Sequence, residues 1–221
     1  IKLYEFQHKS NSIDAYPELS TEEFANFRMV ATTGMGDSVL FRASSPIDPQ
    51  LGRSGIVDSL AEVAGVKVFL NMNDAAEDSV KSFEGFEDTY YAKQKVAYGK
   101  VTSSFTMREF KEPFADKLKF MAENEGPYLV HCVWGKDRTG IVIAILAALM
   151  GATAEEIQDD YAKTYTNYFD VVDGKQVALT KEQKDLARWQ IRWNMVTAYE
   201  VEGIDISDFE NADLAAATEK Y

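Results

Sequence analysis

Two short apolar runs stand out along the chain: Val66-Lys-Val-Phe-Leu-Asn71 and Tyr128-Leu-Val-His-Cys132. Their length and β-branched content predict buried strands. Ser38 to Phe41 reads as a shorter strand leading to Arg42, and residues 90 to 102 hold a weaker strand or two around Tyr90, Tyr91, Val96 and Val101. Elsewhere apolar residues recur at helical spacing. Ser54 to Ala64 predicts a helix closed by Gly65, glycine being a natural residue just past a helix end. Thr106-x-x-Glu109 matches a capping box ahead of Phe110, Phe114, Leu118 and Met121, with a break expected at Pro113. Arg138 to Met150 is apolar on all sides, which predicts a buried helix ended by Gly151. Thr153-x-x-Glu156 caps a helix to about Lys163. Thr180-x-x-Gln183 caps another, with Leu186, Trp189, Trp193 and Val196 on one face and the tryptophan pair expected in the core. Residues 1 to 37 read as irregular apart from a helix start at Ser20-Thr-Glu-Glu23.

Strands alternating with helices predict an α/β fold, a central mostly parallel sheet with helices on both faces. The 221 residues suit a single domain, with 180 to 221 as its helical C-terminal part. No stretch reaches the roughly 20 apolar residues of a membrane span. A net charge of −13 argues against nucleic acid as a partner. One cysteine leaves no internal disulfide, so the compartment stays open, as does the oligomeric state.

The chemistry concentrates in His131-Cys-Val-Trp-Gly-Lys-Asp-Arg-Thr-Gly140, between the last strand pattern and the all-apolar helix. A loop closing onto a helix N-terminus turns backbone N–H groups inward, where they hold an anion. The same partial positive charge favours a thiolate at Cys132. Arg138 can offer two parallel N–H bonds to two phosphate oxygens. Gly135 and Gly140 let the backbone curl close to a ligand. Lys136 and Arg138 predict a local positive spot in an otherwise repulsive field. A lone buried cysteine is more often inert packing, but it does not usually come with this spacing of glycine and arginine. A zinc site needs about four ligands, and the only other histidine is His8, with no second cysteine. No metal and no cofactor are therefore expected.

Cysteine, five residues, then arginine is the signature that this loop shares with the cysteine-dependent protein tyrosine phosphatase superfamily. The fuller string resembles a bacterial group typified by the mycobacterial phosphatase PtpB. Softer matches to that group are Asn26-Phe27-Arg28, Phe41-Arg-Ala-Ser-Ser-Pro46, Asp160-Tyr161, Thr164-Tyr165 and Asn167-Tyr168. The resemblance implies phosphate monoester hydrolysis. Cys132 is the expected nucleophile and Arg138 the clamp, with the phosphate held along Val133, Trp134, Gly135, Lys136, Thr139 and Gly140. His131 is expected to orient the loop by hydrogen bonding. Thr139 is expected to donate to the Cys132 sulfur. Arg42 and Ser44-Ser45 either line the mouth or brace the loop.

Most of the superfamily carries an acidic aspartate about thirty residues before the cysteine, yet residues 89 to 115 contain none. The proton donor is therefore sought at Asp137, which the PtpB-like group shares, and next at Asp74; alternatively, Asp137 only fixes the loop. Trp134, with Tyr90 and Tyr91, is expected either to wall a pocket for a phenyl ring or to be core. The expected partner is a phosphotyrosine-containing protein. Lys136, an extra cation beside the clamp, keeps a phosphorylated inositide as the alternative. A sulfurtransferase and a non-catalytic phosphate-binding module fit the loop less well, the first because it does not need the Arg-Thr-Gly continuation.

Overall fold

Five strands form one sheet in the order β1 (Arg28–Met29), β2 (Leu40–Ala43), β5 (Tyr128–His131), β3 (Val68–Asn71) and β4 (Lys95–Ala97). Only the β1–β2 pair is antiparallel; β2, β5, β3 and β4 run parallel. The computed structural model describes residues 12–169, 171–172, 175–176 and 178–221.

Period-two alternation sorts the strand side chains to two faces. Leu40, Val68, Leu70 and Val130 pack toward α3 (Arg108–Glu123), α4 (Asp137–Leu149), α5 (Ala154–Phe169), α6 (Lys181–Val201) and α7 (Leu214–Lys220). Phe41, Ala43, Phe69 and Leu129 pack toward α2 (Ser54–Val63) through Val57 and Ala61. The α/β reading, with helices on both faces, therefore describes this molecule. Helix α4 is buried all round from Thr139 to Ala148 because the sheet lies on one side and α5, α6 and α7 cover the other.

Several expectations need correction. Arg28–Met29 is an edge strand inside the stretch read as irregular, pairing Arg28 with Arg42; residues 1–11 of that stretch, His8 included, lie outside the described residues. Of the 90–102 region only Lys95–Ala97 is strand. Tyr90 and Tyr91 instead donate their amides to Asp58 of α2, both at 2.8 Å. Helix α3 runs unbroken through Pro113; the carbonyl that loses its partner belongs to Glu109, which is exposed to solvent. Met107, with no side-chain bond, stands at its N-cap in place of the Thr106 capping box. The boxes at Ser20 (heading α1, Thr21–Ala25) and Thr180 form as read, and Thr153 and Glu156 bond each other's backbone amides. Helix α5 continues past Lys163 to Phe169, because Thr164, Tyr165 and Asn167 are also buried.

The tryptophan expectation fails outright. Trp189 and Trp193 stack on each other with rings 6.0 Å apart, but they are 51% and 52% exposed. Helix α6 buries Gln183, Ala187, Ile191, Met195 and Ala198 instead. Small residues at 187 and 198 let that stripe approach its neighbours closely, which the bulkier stripe does not.

Candidate active site

In the parallel register Ala43, His131 and Asn71 lie side by side, so β2, β5 and β3 end level at their carboxyl edge. Ligands of parallel sheets collect at such an edge, and the Cys132–Lys136 loop leaves from its centre. Gly135 has φ +63°, and a Cβ there would stand 2.0 Å from the Ala43 carbonyl oxygen. Only glycine lets the loop fold back this tightly onto β2.

Three successive loop carbonyls are drawn outward. Val133 O accepts from Ser45 N at 3.0 Å. Trp134 O accepts from Tyr168 Oη at 2.7 Å and Asn26 Nδ2 at 3.3 Å. Gly135 O accepts from Arg42 Nη2 at 2.9 Å and Asn26 Nδ2 at 3.2 Å. In a planar trans peptide the N–H points opposite to the C=O. Pinning these three carbonyls therefore turns the amides of Trp134, Gly135 and Lys136 the other way. Among the described residues the amides of Val133, Trp134 and Gly135 donate to no backbone carbonyl. They are followed by the N–H groups at the start of α4, which have no partner within the helix. The result is an anion cradle facing away from a rigid frame.

That frame is built from the flanking motifs. Asp160 receives Arg28 Nε at 3.1 Å and a short bond from Arg42 Nη1. Burial works against its charge, but Arg42 and Arg28 outweigh burial and hold the carboxyl below its ordinary range. Arg28 also bonds Thr164 Oγ1 at 3.0 Å and Asn26 Oδ1 at 2.6 Å, and Asn167 Nδ2 reaches the same Asn26 oxygen at 2.9 Å. Arg53, fully buried, lies over Phe24 at 4.4 Å, Tyr168 at 5.0 Å and Trp134 at 5.9 Å. Two arginines thus share one carboxylate behind the cradle, and a third, Arg53, lies against the rings beside it. This surplus supplies positive potential inside a chain of net charge −13.

In front of the cradle is a cavity of about 410 Å³ lined by Asn73, Lys100, Val101, Thr102, Ser103, Cys132, Trp134, Asp137 and Arg138. Cys132, Trp134, Asp137 and Arg138 come together there. Arg138 Nη1 rests on the Met72 carbonyl at 3.2 Å. Asp137 accepts from Tyr161 Oη at 3.3 Å and lies 3.5 Å from Lys136 Nζ. Asp74 does not line the cavity: its carboxylate is occupied by the amides of Asn71 at 3.0 Å and Asn73 at 3.1 Å.

Burial places five expected residues or groups: Lys136 and Gly140 away from the ligand, Arg42 with its serines and the Tyr90–Tyr91 pair in the second of the two roles expected for each, and Thr139 without its expected bond. Lys136 is not a wall of the cavity; its side chain is buried, with Nζ 5.3 Å from the Tyr165 ring. Arg42 is fully buried and braces Gly135 from behind, and Ser44 and Ser45 likewise bond backbone of the frame. Gly140 sits in the first turn of α4, where a Cβ would meet the Tyr161 ring at 2.5 Å, so it serves packing and not a ligand. Tyr90 and Tyr91 belong to the opposite core, with Tyr91 Oη accepting from Asn71 at 3.0 Å. Thr139 Oγ1 is buried with no hydrogen-bond partner among the described residues, and none runs to Cys132.

Among the described residues neither His131 ring nitrogen has a hydrogen-bond partner of ordinary geometry, and the ring packs edge-on to Tyr91 at 5.7 Å and Phe69 at 6.5 Å. Burial pushes its pKa down to about 3, an effect the Cys132 backbone offsets only in part. Sequence reasoning missed Lys100, Thr102, Ser103 and Asn73, which carry no periodic or motif signal. The absence of an aspartate from residues 89 to 115 turned attention away from this segment, toward Asp137.

A model of the tyrosine phosphatase family matches residues 22–212. A tyrosine-protein phosphatase from Nostoc commune is 41% identical over 54 residues, which is 24% of this chain and 17% of that relative. Among solved structures, the core catalytic domain of the PP-IP phosphatase SIW14 from S. cerevisiae, in complex with citrate, is similar with a TM-score of 0.42 and 16% identity, covering 80% of this chain and 93% of that one.

Proposed function

The chain belongs to the tyrosine phosphatase family, and from that premise we propose that it hydrolyses phosphate monoesters through a cysteinyl-phosphate, with phosphotyrosine in proteins as the substrate. The Cys132 thiolate attacks phosphorus in line, and the phosphorus–oxygen bond to the leaving alcohol breaks as Asp137 gives that oxygen its proton. Water then attacks phosphorus, Asp137 takes up a proton, and the sulfur–phosphorus bond breaks to release phosphate and restore the thiolate. Through both steps the cradle amides and the Arg138 guanidinium hold the equatorial oxygens. Asp137 is preferred to Asp74 because it lines the cavity that holds Cys132. Trp134 offers an aromatic wall for the phenyl ring.

The observation that carries this reading is the sharing of one cavity by Cys132 and Arg138 beside outward-pinned carbonyls. Turnover of p-nitrophenyl phosphate tests it: activity should survive a chelator and fall roughly 10⁴-fold or more in Cys132→Ser. Vanadate binding without turnover would favour a binding module instead. For Asp137→Asn, the basic limb of the pH–rate profile on an aryl phosphate of poor leaving group should disappear; a retained limb would rule out this donor.

A second reading, a substrate with a further anionic group such as a phosphorylated inositide, draws on Lys100. That lysine puts a second cation into the cavity with Arg138. Parallel kinetics on phosphotyrosine peptides and phosphoinositides, with Lys100→Ala in each, separate the two. Under the main reading the phosphopeptide has the higher kcat/KM and Lys100→Ala changes it little.

A further inference from the structure

We infer that Lys117 is a positioning residue that holds the Lys100–Ser103 wall against the mouth of the cavity. The inference rests on the phosphatase reading above. Lys117 lies on the inner face of α3, 1% exposed. Its ammonium makes no ion pair among the described residues. It donates instead to two successive backbone carbonyls, Tyr98 O at 3.2 Å and Gly99 O through a short bond. A buried ammonium costs several kcal/mol unless its protons are used, so this is an expensive way to stabilise a helix. What it holds is the root of the wall.

Gly99 has φ +124°, and a Cβ there would stand 3.0 Å from Lys117 Nζ. The chain thus makes a glycine turn directly on the ammonium, and the next four residues line the cavity. From its other side the wall is tied to the end of β3: Gly99 N donates to Asp74 O at 3.0 Å and Val101 N to Met72 O at 3.2 Å. The same Met72 oxygen accepts from Arg138 Nη1 at 3.2 Å. The wall and the arginine clamp therefore share one acceptor, and a displaced wall disturbs the clamp through it.

The charged and titratable groups around Lys117 are Asp116 on its own helix, buried neutral His131 on β5 and Arg138 beyond it; the Tyr98 phenol turns the other way, toward Tyr91. Burial lowers the lysine's pKa to about 8, and Asp116 opposes this only weakly. The grip on the two carbonyls is strongest below that pH, while the ammonium is charged.

Lys117→Met keeps the stem and removes the donors. The expected result is a fall of about tenfold in kcat/KM for p-nitrophenyl phosphate, with the thermal midpoint little changed, since loss of the buried charge offsets the two orphaned carbonyls. An alkaline limb near pH 8 in wild-type kcat/KM should vanish in the variant. Gly99→Ala attacks the same contact from the wall side and should give the same loss, and the double variant should lose no more than the larger single loss. If Lys117→Met does not fold, Gly99→Ala decides. Wild-type kcat/KM in the folded variants, or full additivity in the double variant, overturns the inference. Turnover that persists in Cys132→Ser would instead overturn the phosphatase reading and leave this one to be judged by its own variants.

Discussion

The back and the front of the cavity are built on different principles. Behind the cradle, Asn26, Arg28, Arg42, Asp160, Thr164, Asn167 and Tyr168 interlock through side-chain bonds that converge on two carbonyls, Trp134 O and Gly135 O. In front, the Lys100–Ser103 wall hangs on main-chain bonds to β3 and on one buried lysine. Many mutually satisfied bonds make a network cooperative and a geometry unique. A few bonds to a segment without regular structure leave a region of low local stability, from which moving parts of sites are drawn. On the proposed function, phosphate recognition falls to the rigid side, and choice of substrate to the side that can yield.

Acid gives the largest expected loss, and most of it falls on the strands beneath the cavity, between the two sides. His131, with its pKa near 3 against an ordinary 6.5, makes folding more favourable above pH 6.5, and that contribution is lost as pH falls toward 3. At 1.36 kcal/mol per unit the full loss is roughly 4–5 kcal/mol. Asp160, held below its ordinary range, adds a further loss at the acid end. Lys117 acts in another window: its burial cost is present below pH 8 and relieved between 8 and 10.5, so the folded chain gains stability in alkali even as the ammonium's hold on the front wall is lost. Denaturant titrations at pH 7 and pH 4 should show the acid loss, and equal stability at both would contradict a neutral buried His131.

Asp160→Asn comes next. It leaves Arg28 and Arg42 facing each other without their shared carboxylate, at a cost of about 3–5 kcal/mol in thermal or denaturant unfolding. The smallest effect belongs to the front. Thr102→Ala should change stability by no more than about 0.5 kcal/mol while altering KM for bulky phosphopeptides. A loss as large as that of Asp160→Asn would erase the distinction between the two sides.

The contrast also explains what a single sequence discloses. Cys132 to Arg138 is legible because strand, loop and helix follow one another locally. The strand pattern of β3 and β5 and the capping boxes at Ser20, Thr153 and Thr180 are legible for the same reason. The frame is not: Asn26 meets Gly135 across 109 positions and Arg28 meets Asp160 across 132. Only resemblance to a family drew those residues together, and bracing of the loop was offered for Arg42, Ser44 and Ser45 alone, as one of two roles. Lys136 misled by adjacency, since its place before α4 turns it toward the Tyr165 ring. Lys100 and Lys117 sit in a wall without periodicity and on a helix face, where a lysine ordinarily points to water. The tryptophan pair misled because α6 has two apolar stripes at similar spacing, and the one through Ala187, Ile191, Met195 and Tyr199 is the buried one.

The exposed tryptophans have a spectroscopic consequence. The chain has three tryptophans; two stack in solvent on α6, and the third, Trp134, lines the cavity with its ring edge-on to Tyr168 at 5.2 Å. Replacing Trp189 and Trp193 by phenylalanine would remove no core packing and leave one emitter at the mouth of the cradle. Its fluorescence would then follow vanadate or phosphate entering the cavity in real time, without any label.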